Sequence, residues 1–122
     1  MLRIIDSGSD NILAIQASDK LTDADFVDVW LPTLKGKLDS GGKVRLLLYM
    51  DETFGGLDGK TGWHTAKLGL KELSRVEDVE KVAFVGGPKW VQEMTSIVSG
   101  LGVGEARSFA TGSLSDAKAW VS

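Results

Sequence analysis

Two apolar runs constrain this chain most. Val44-Arg45-Leu46-Leu47-Leu48-Tyr49 and Lys81-Val82-Ala83-Phe84-Val85 are almost free of polar residues once their flanking charges are set aside. A strand with one wet face alternates apolar and polar side chains. A run without alternation is a strand covered on both faces, which calls for helices above and below it and parallel neighbours beside it. Both runs therefore read as central parallel strands, and the chain between them must supply a crossover on the sheet.

The flanking segments fit that frame. Leu2 to Ile5 and Ile12 to Ala17 read as two strands joined by the turn cluster Ser7-Gly8-Ser9-Asp10-Asn11, and so short a connection makes them antiparallel. Thr22 can cap the first helix, with Asp25 three residues on in the place of the usual glutamate and Leu21 and Phe26 as a staple. Phe26, Val27, Trp30, Leu31, Leu34 and Leu38 follow at helical spacing. Pro32 interrupts them, predicting a kink or a break just before it. A second helix is expected from about Trp63 to Ser74 and a third from Pro88, with Gly100 as its stop. Glu105 to Phe109 reads as a last strand. Ser113 is expected to cap a final helix whose buried face carries Leu114, Ala117, Trp120 and Val121.

The order is β-β-α-β-α-β-α-β-α, an α/β fold with a mixed, mostly parallel sheet and helices packed on it. At 122 residues the chain is expected to be one domain, spanning 1–122. Its net charge of −3 argues against nucleic acid as a partner, because phosphate-binding surfaces are basic. There is no cysteine, so disulfides and zinc-thiolate sites are excluded. No apolar run reaches the length of a membrane span, and the first residues are too quickly charged for a signal peptide. A cytoplasmic location is the expectation that follows.

Few residues carry a chemical signal. Gly55-Gly56-Leu57-Asp58-Gly59-Lys60-Thr61 superficially matches a phosphate-binding loop, but only three residues lie between Gly55 and Gly59-Lys60-Thr61, where the motif needs four. Gly100-Leu101-Gly102-Val103-Gly104 follows a helix and enters a strand, the reverse of a dinucleotide fingerprint. His64 is the only histidine, with no serine or cysteine placed beside it to form a nucleophile–base pair. Asp51, Glu52 and Asp58 match no calcium-loop spacing, and no metal or other cofactor is expected. In open α/β sheets ligands sit beyond the carboxyl ends of the strands. The Asp51–Gly62 loop, the Gly86–Pro88 turn and the Ala110–Gly112 turn all leave those ends, so Asp51, Trp63, His64, Gly87 and Trp90 form the candidate ligand rim.

Several segments together resemble the SpoIIAA-like family. They are Leu-Leu-Leu-Tyr-Met-Asp (46–51), Gly-Trp (62–63) with Ala66, Lys-Val-Ala-Phe-Val-Gly (81–86), Lys-Trp (89–90), Arg-Ser-Phe-Ala (107–110) and Ala-Lys-Ala-Trp-Val (117–121). That family is related in fold to the STAS domains of anti-sigma-factor antagonists and to CRAL-TRIO lipid-binding domains. The resemblance implies a mixed sheet with helices packed on it, and no catalytic set. STAS antagonists are switched by phosphorylation in an Asp-Ser-Ser/Thr-Gly motif at a helix start. The nearest counterpart here is Asp58-Gly59-Lys60-Thr61-Gly62, one residue longer, which makes Thr61 the candidate phosphosite. The expected function is thus a non-catalytic regulatory or protein-interaction module. The alternative implied by the CRAL-TRIO kinship is a carrier of a small apolar molecule. Pairing as a symmetric homodimer is a general expectation for a small α/β domain.

Overall fold

The computed structural model describes residues 2–5, 11–22, 24–39, 43–57, 78–87, 95–96, 99–100 and 103–122. The two apolar runs form strands β4 (Val44–Met50) and β6 (Val79–Val85), and they lie side by side and parallel, with Leu46 opposite Val82 and Leu48 opposite Phe84. β1 (Leu2–Ile5) runs antiparallel to β2 (Ile12–Ala17), and β2 pairs in parallel with β4. β7 (Glu105–Phe109) continues the sheet in parallel beyond β6. The five-stranded order is β1-β2-β4-β6-β7, with β1 the single antiparallel member.

Because side chains alternate along a strand, β4 supplies two cores at once. Val44, Leu46, Leu48 and Met50 face one side, with Leu13, Ile15, Val82 and Phe84 from neighbouring strands; Trp30, Leu34 and Leu38 cover them. Leu47 and Tyr49 face the other, with Ile12, Ala14, Ala83 and Val85; Ala117 and Val121 cover those. A bulge marks the start of β4: Val44 opposes Val79, but Arg45 opposes Lys81, so Glu80 is the extra residue. The bulge keeps Val79 on the same side as Val82. It also explains Gly104, which leads into β7: a Cβ there would stand 2.4 Å from the Glu80 carbonyl oxygen.

The first helix begins as its sequence predicts. Thr22 N–H donates to Asp25 Oδ2 (2.9 Å) and Asp25 N–H donates to Thr22 Oγ1 (3.2 Å), a reciprocal capping box. The irregularity at Pro32 takes a specific form. Asp25–Trp30 is a π-helical turn, and α1 (Leu31–Asp39) follows in ordinary α geometry. Pro32 offers no N–H to the carbonyl four residues back, and the wider turn ends two residues before it.

Two expectations are corrected. The start of the Asp51–Gly62 connection is not plain loop: β5 (Gly56–Leu57) pairs in parallel with β3 (Lys20–Leu21). A pair of two-residue strands is too short to leave a periodicity in sequence. Ser113 does not cap the final helix with its side chain. A 3-10 turn, Thr111–Ser113, leads straight into α2 (Leu114–Val121), and Ser113 has φ −108° and ψ 28°, outside the extended geometry that aims a capping hydroxyl at the first turn. Its N–H instead donates to the Ala110 carbonyl at 2.9 Å. The buried face of α2 is as expected, with Ala117 and Val121 fully buried and Leu114 and Trp120 packed beside them.

The helices expected over Trp63–Ser74 and from Pro88 lie mostly outside the described residues. Of the latter, Thr95, Ser96 and Ser99 are helical, and Gly100 donates to the Ser96 carbonyl at 3.2 Å before the chain turns. No helix among the described residues is long and apolar enough to cross a membrane.

Leu34 is 0% exposed at the α1–sheet contact, whereas Ile4 on β1 is 55% exposed. Leu34→Ala should lower unfolding free energy by about 2–5 kcal/mol, and Ile4→Ala should change it by no more than about 0.5 kcal/mol. Urea denaturation of the two variants measures the contrast.

Candidate functional site

The parallel strands β2, β4, β6 and β7 deliver their carboxyl ends to one rim. The exits touch. Gly86 N–H donates to the Phe109 carbonyl at 2.8 Å, joining the end of β6 to the end of β7. A Cβ on Gly86 would meet the Met50 carbonyl oxygen at 2.7 Å and Thr111 Oγ1 at 3.0 Å. Gly86 and Gly87 both have positive φ, 77° and 85°, a conformation that costs other residues strain and glycine little. The rim at this point is closed backbone against backbone, and only glycine fits position 86.

Asp51 leaves β4 on the same rim, and both of its carboxylate oxygens accept hydrogen bonds. Oδ2 accepts from Gln16 Nε2 at 2.8 Å. Oδ1 accepts from Thr53 N–H at 2.9 Å and Thr53 Oγ1 at 2.6 Å. Its own N–H donates to the Ala17 carbonyl at 3.0 Å. The network extends both ways. Arg3 Nη2 donates to Gln16 Oε1 at 2.9 Å, and Asp19 N–H donates to Thr53 Oγ1 at 3.2 Å. Asp19 sits at φ 53°, a left-handed corner that aspartate tolerates better than most residues, and its carbonyl accepts from Gly55 N–H at 2.8 Å. One carboxylate thus ties the exit of β4 to β2, and through Gln16 to β1.

The electrostatics agree with this. Hydrogen bonds from the Thr53 side chain, then from Gln16 and the Thr53 backbone, with the Arg3 guanidinium nearby, hold the Asp51 carboxyl below its ordinary value despite partial desolvation. Such a group is an ionised structural acceptor. It lacks the raised pKa that a general acid at neutral pH would require.

Of the sequence-predicted rim, Asp51 and Gly87 stand on adjacent exits; Gly87 is exposed and Asp51 half-buried. Trp63, His64 and Trp90, and the candidate phosphosite Thr61, lie outside the described residues. Sequence reasoning missed Gln16 and Thr53, the partners that decide what Asp51 does. Gln16 did leave a signal, as the one polar residue in the run Ile12–Ala17.

The opposite end of the sheet carries a second polar set. Arg45 Nη1 donates to the Val121 carbonyl at 2.9 Å and also to the Ser122 carbonyl. Lys81 Nζ donates to the Trp120 carbonyl at 2.9 Å and lies 5.0 Å from the Trp120 ring centroid. These two cations satisfy the last carbonyls of α2 and oppose the negative end of its dipole. The Arg45–Glu80 ion pair is longer, at 3.4 Å, and partly exposed. Such a pair contributes about 0–1 kcal/mol, against about 1.5–3 kcal/mol for a hydrogen bond to a charged group, so the carbonyl bonds dominate.

A mixed sheet, mostly parallel, with helices on both faces and a polar network at its carboxyl rim defines an α/β domain of the type suggested by the sequence segments above. Residues 12–122 match the SpoIIAA-like family model, and the chain belongs to that family. Among solved structures it is similar to an uncharacterized protein of the DUF3478 family with a SpoIIAA-like fold from Shewanella loihica PV-4. The two are 26% identical, the match covers 100% of this chain and 93% of the other, and the TM-score is 0.67. No curated protein matched.

Two measurements test the rim. The folded pKa of Asp51 is depressed, so the stability it contributes is complete above its unfolded value, about 3.9, and is lost as pH falls through the folded value. The stability difference between the wild-type chain and Asp51→Ala should therefore be constant from pH 7 to about 5 and shrink below about pH 4, as read by urea titrations across pH. Gly86→Ala should destabilise by roughly 1–3 kcal/mol, from strain at positive φ and the Met50 contact, whereas the open position Gly112→Ala should not; thermal melts compare the two.

Proposed function

We propose that this chain is a non-catalytic interaction module of the STAS type, and that the carboxyl rim is its recognition face. The observation that carries the reading is Asp51. It is the acidic group the sequence puts at the rim, and its carboxylate oxygens accept from Gln16 and Thr53. A rim whose polar groups hold strand exits in place presents a fixed shape, and preorganisation of that kind favours binding. Membership of the SpoIIAA-like family supports the same reading.

Regulation enters through Thr61. A phosphate there would add about two negative charges beside Asp58 and Lys60, enough to change which partner the rim accepts.

The test is site-specific photo-crosslinking in cells from Glu52, exposed on the rim, with exposed Lys35 on α1 as the control position. The expected result is a discrete protein adduct from Glu52 only, reproduced in vitro with the identified partner and altered when Thr61 is phosphorylated. Identical adducts from both positions, together with a stoichiometric apolar molecule in native mass spectrometry, would replace this reading with that of a small-molecule carrier. A turnover lost in His64→Gln would replace it with an enzymatic one.

A further inference from the structure

β7 is a free edge of the five-stranded sheet, since among the described residues it pairs only with β6. An exposed edge with open N–H and C=O groups is a template for another strand. The direction of its open groups can be read from one bond. The Phe109 carbonyl accepts from Gly86, the residue after β6, so Phe109 and the residues two and four before it, Arg107 and Glu105, turn their backbone groups inward. Ala106 and Ser108 turn theirs outward.

The side chains carry a second pattern. Glu105 and Arg107 are both exposed, opposite in charge and on the same face. They do not satisfy each other. Arg107 lies over the Phe109 ring, its guanidinium carbon 5.0 Å from the centroid, and no partner meets the Glu105 carboxylate among the described residues.

A second copy of the strand, related by a two-fold axis and antiparallel, can pair only in registers that set a residue opposite its own copy. Centring on Glu105 or Arg107 opposes like charges. Centring on Ser108 leaves Glu105 without a basic partner. Centring on Ala106 sets Glu105 opposite Arg107 of the second copy, and Arg107 opposite its Glu105. In that register the outward N–H and C=O of Ala106 form the hydrogen-bonded pair. The charged residues then fall in the non-hydrogen-bonded positions on either side, where cross-strand side chains come closest. The small alanine at the axis puts nothing in the way.

We propose that this chain forms a symmetric homodimer through β7, centred on Ala106, making one continuous ten-stranded sheet closed by two reciprocal Glu105–Arg107 pairs. The inference rests on the edge geometry and not on the function proposed for the rim.

The test is sedimentation velocity of the full chain over a concentration series, in low and high salt. The wild type should show a concentration-dependent dimer that weakens as salt rises. Glu105→Arg alone and Arg107→Glu alone should each weaken the dimer at least tenfold, and the double variant Glu105→Arg/Arg107→Glu should restore it. Ser108→Pro, which removes an outward amide without touching a bond to β6, should also weaken it, with circular dichroism unchanged. Ile4→Asp, on the opposite edge at β1, should leave the dimer intact. A wild type that stays monomeric at millimolar concentration overturns the proposal. So does a dimer indifferent to the single reversals, a double variant that fails to recover, or a dimer broken by Ile4→Asp and not by the β7 variants.

Discussion

The pairing of β4 with β6 is the constraint on which the rest of the molecule depends. Both strands are buried on two sides, so each must divide its residues between two cores. A slip of one residue would exchange the two sets. Leu46 and Leu48 would turn toward α2, and Arg45 and Tyr49 toward α1, where Trp30, Leu34 and Leu38 offer no partner for a guanidinium. The register is thus fixed by charge as well as by apolar area. The bulge at Glu80 supplies the one local adjustment, keeping Val79 and Val82 on the same side while Arg45 and Lys81 stay on the other.

Those two cations give the sheet its polarity. Arg45 and Lys81 lie at the amino ends of their strands and hold the carboxyl end of α2. Gly86 holds the other end of the same unit, its backbone lodged against Met50 and Thr111 where the 3-10 turn begins. The C-terminal helix is therefore clamped at both ends by neighbouring strands and lies antiparallel to them. Trp120 joins the clamp to the core, lying beneath Lys81 and 5.9 Å from the Phe109 ring centroid.

How much of this was legible in the sequence depended on how many residues carried each signal. The apolar runs at 44–49 and 82–85, with the shorter ones at 2–5 and 12–15, placed four strands of the main sheet, and the alternation of strands with helical segments placed the fifth, Glu105–Phe109, which has no apolar run of its own. The Thr22–Asp25 box was legible because its two partners sit at a fixed spacing. Features decided by contacts between distant segments were not. β3 and β5 are two residues each and pair beside the bond from Gly55 N–H to the Asp19 carbonyl. The side chain of Ser113 lost its capping role to the 3-10 turn that its own N–H closes by donating to the Ala110 carbonyl. Pro32 announced a disturbance, but whether it became a kink or a π turn depended on packing. At the rim, the sequence put Asp51 at the exit of β4 but did not assign its role, since one of its partners, Gln16, lies on another strand.

That last case bears on how a rim of this kind can work. A carboxylate between Gln16 and Thr53 cannot accept a proton at neutral pH without giving up hydrogen bonds that join β4 to β2, and through Gln16 and Arg3 to β1. Chemistry at Asp51 would loosen the sheet that positions it. The same bonds make the rim useful as a rigid surface: Asp19, Thr53 and Gly55 fix the path after β4, and Gly86 fixes the path after β6 within contact distance of it. A fold that uses this acidic side chain to hold two exits in register fixes the shape of the rim at that point, which is the property the proposed recognition role requires.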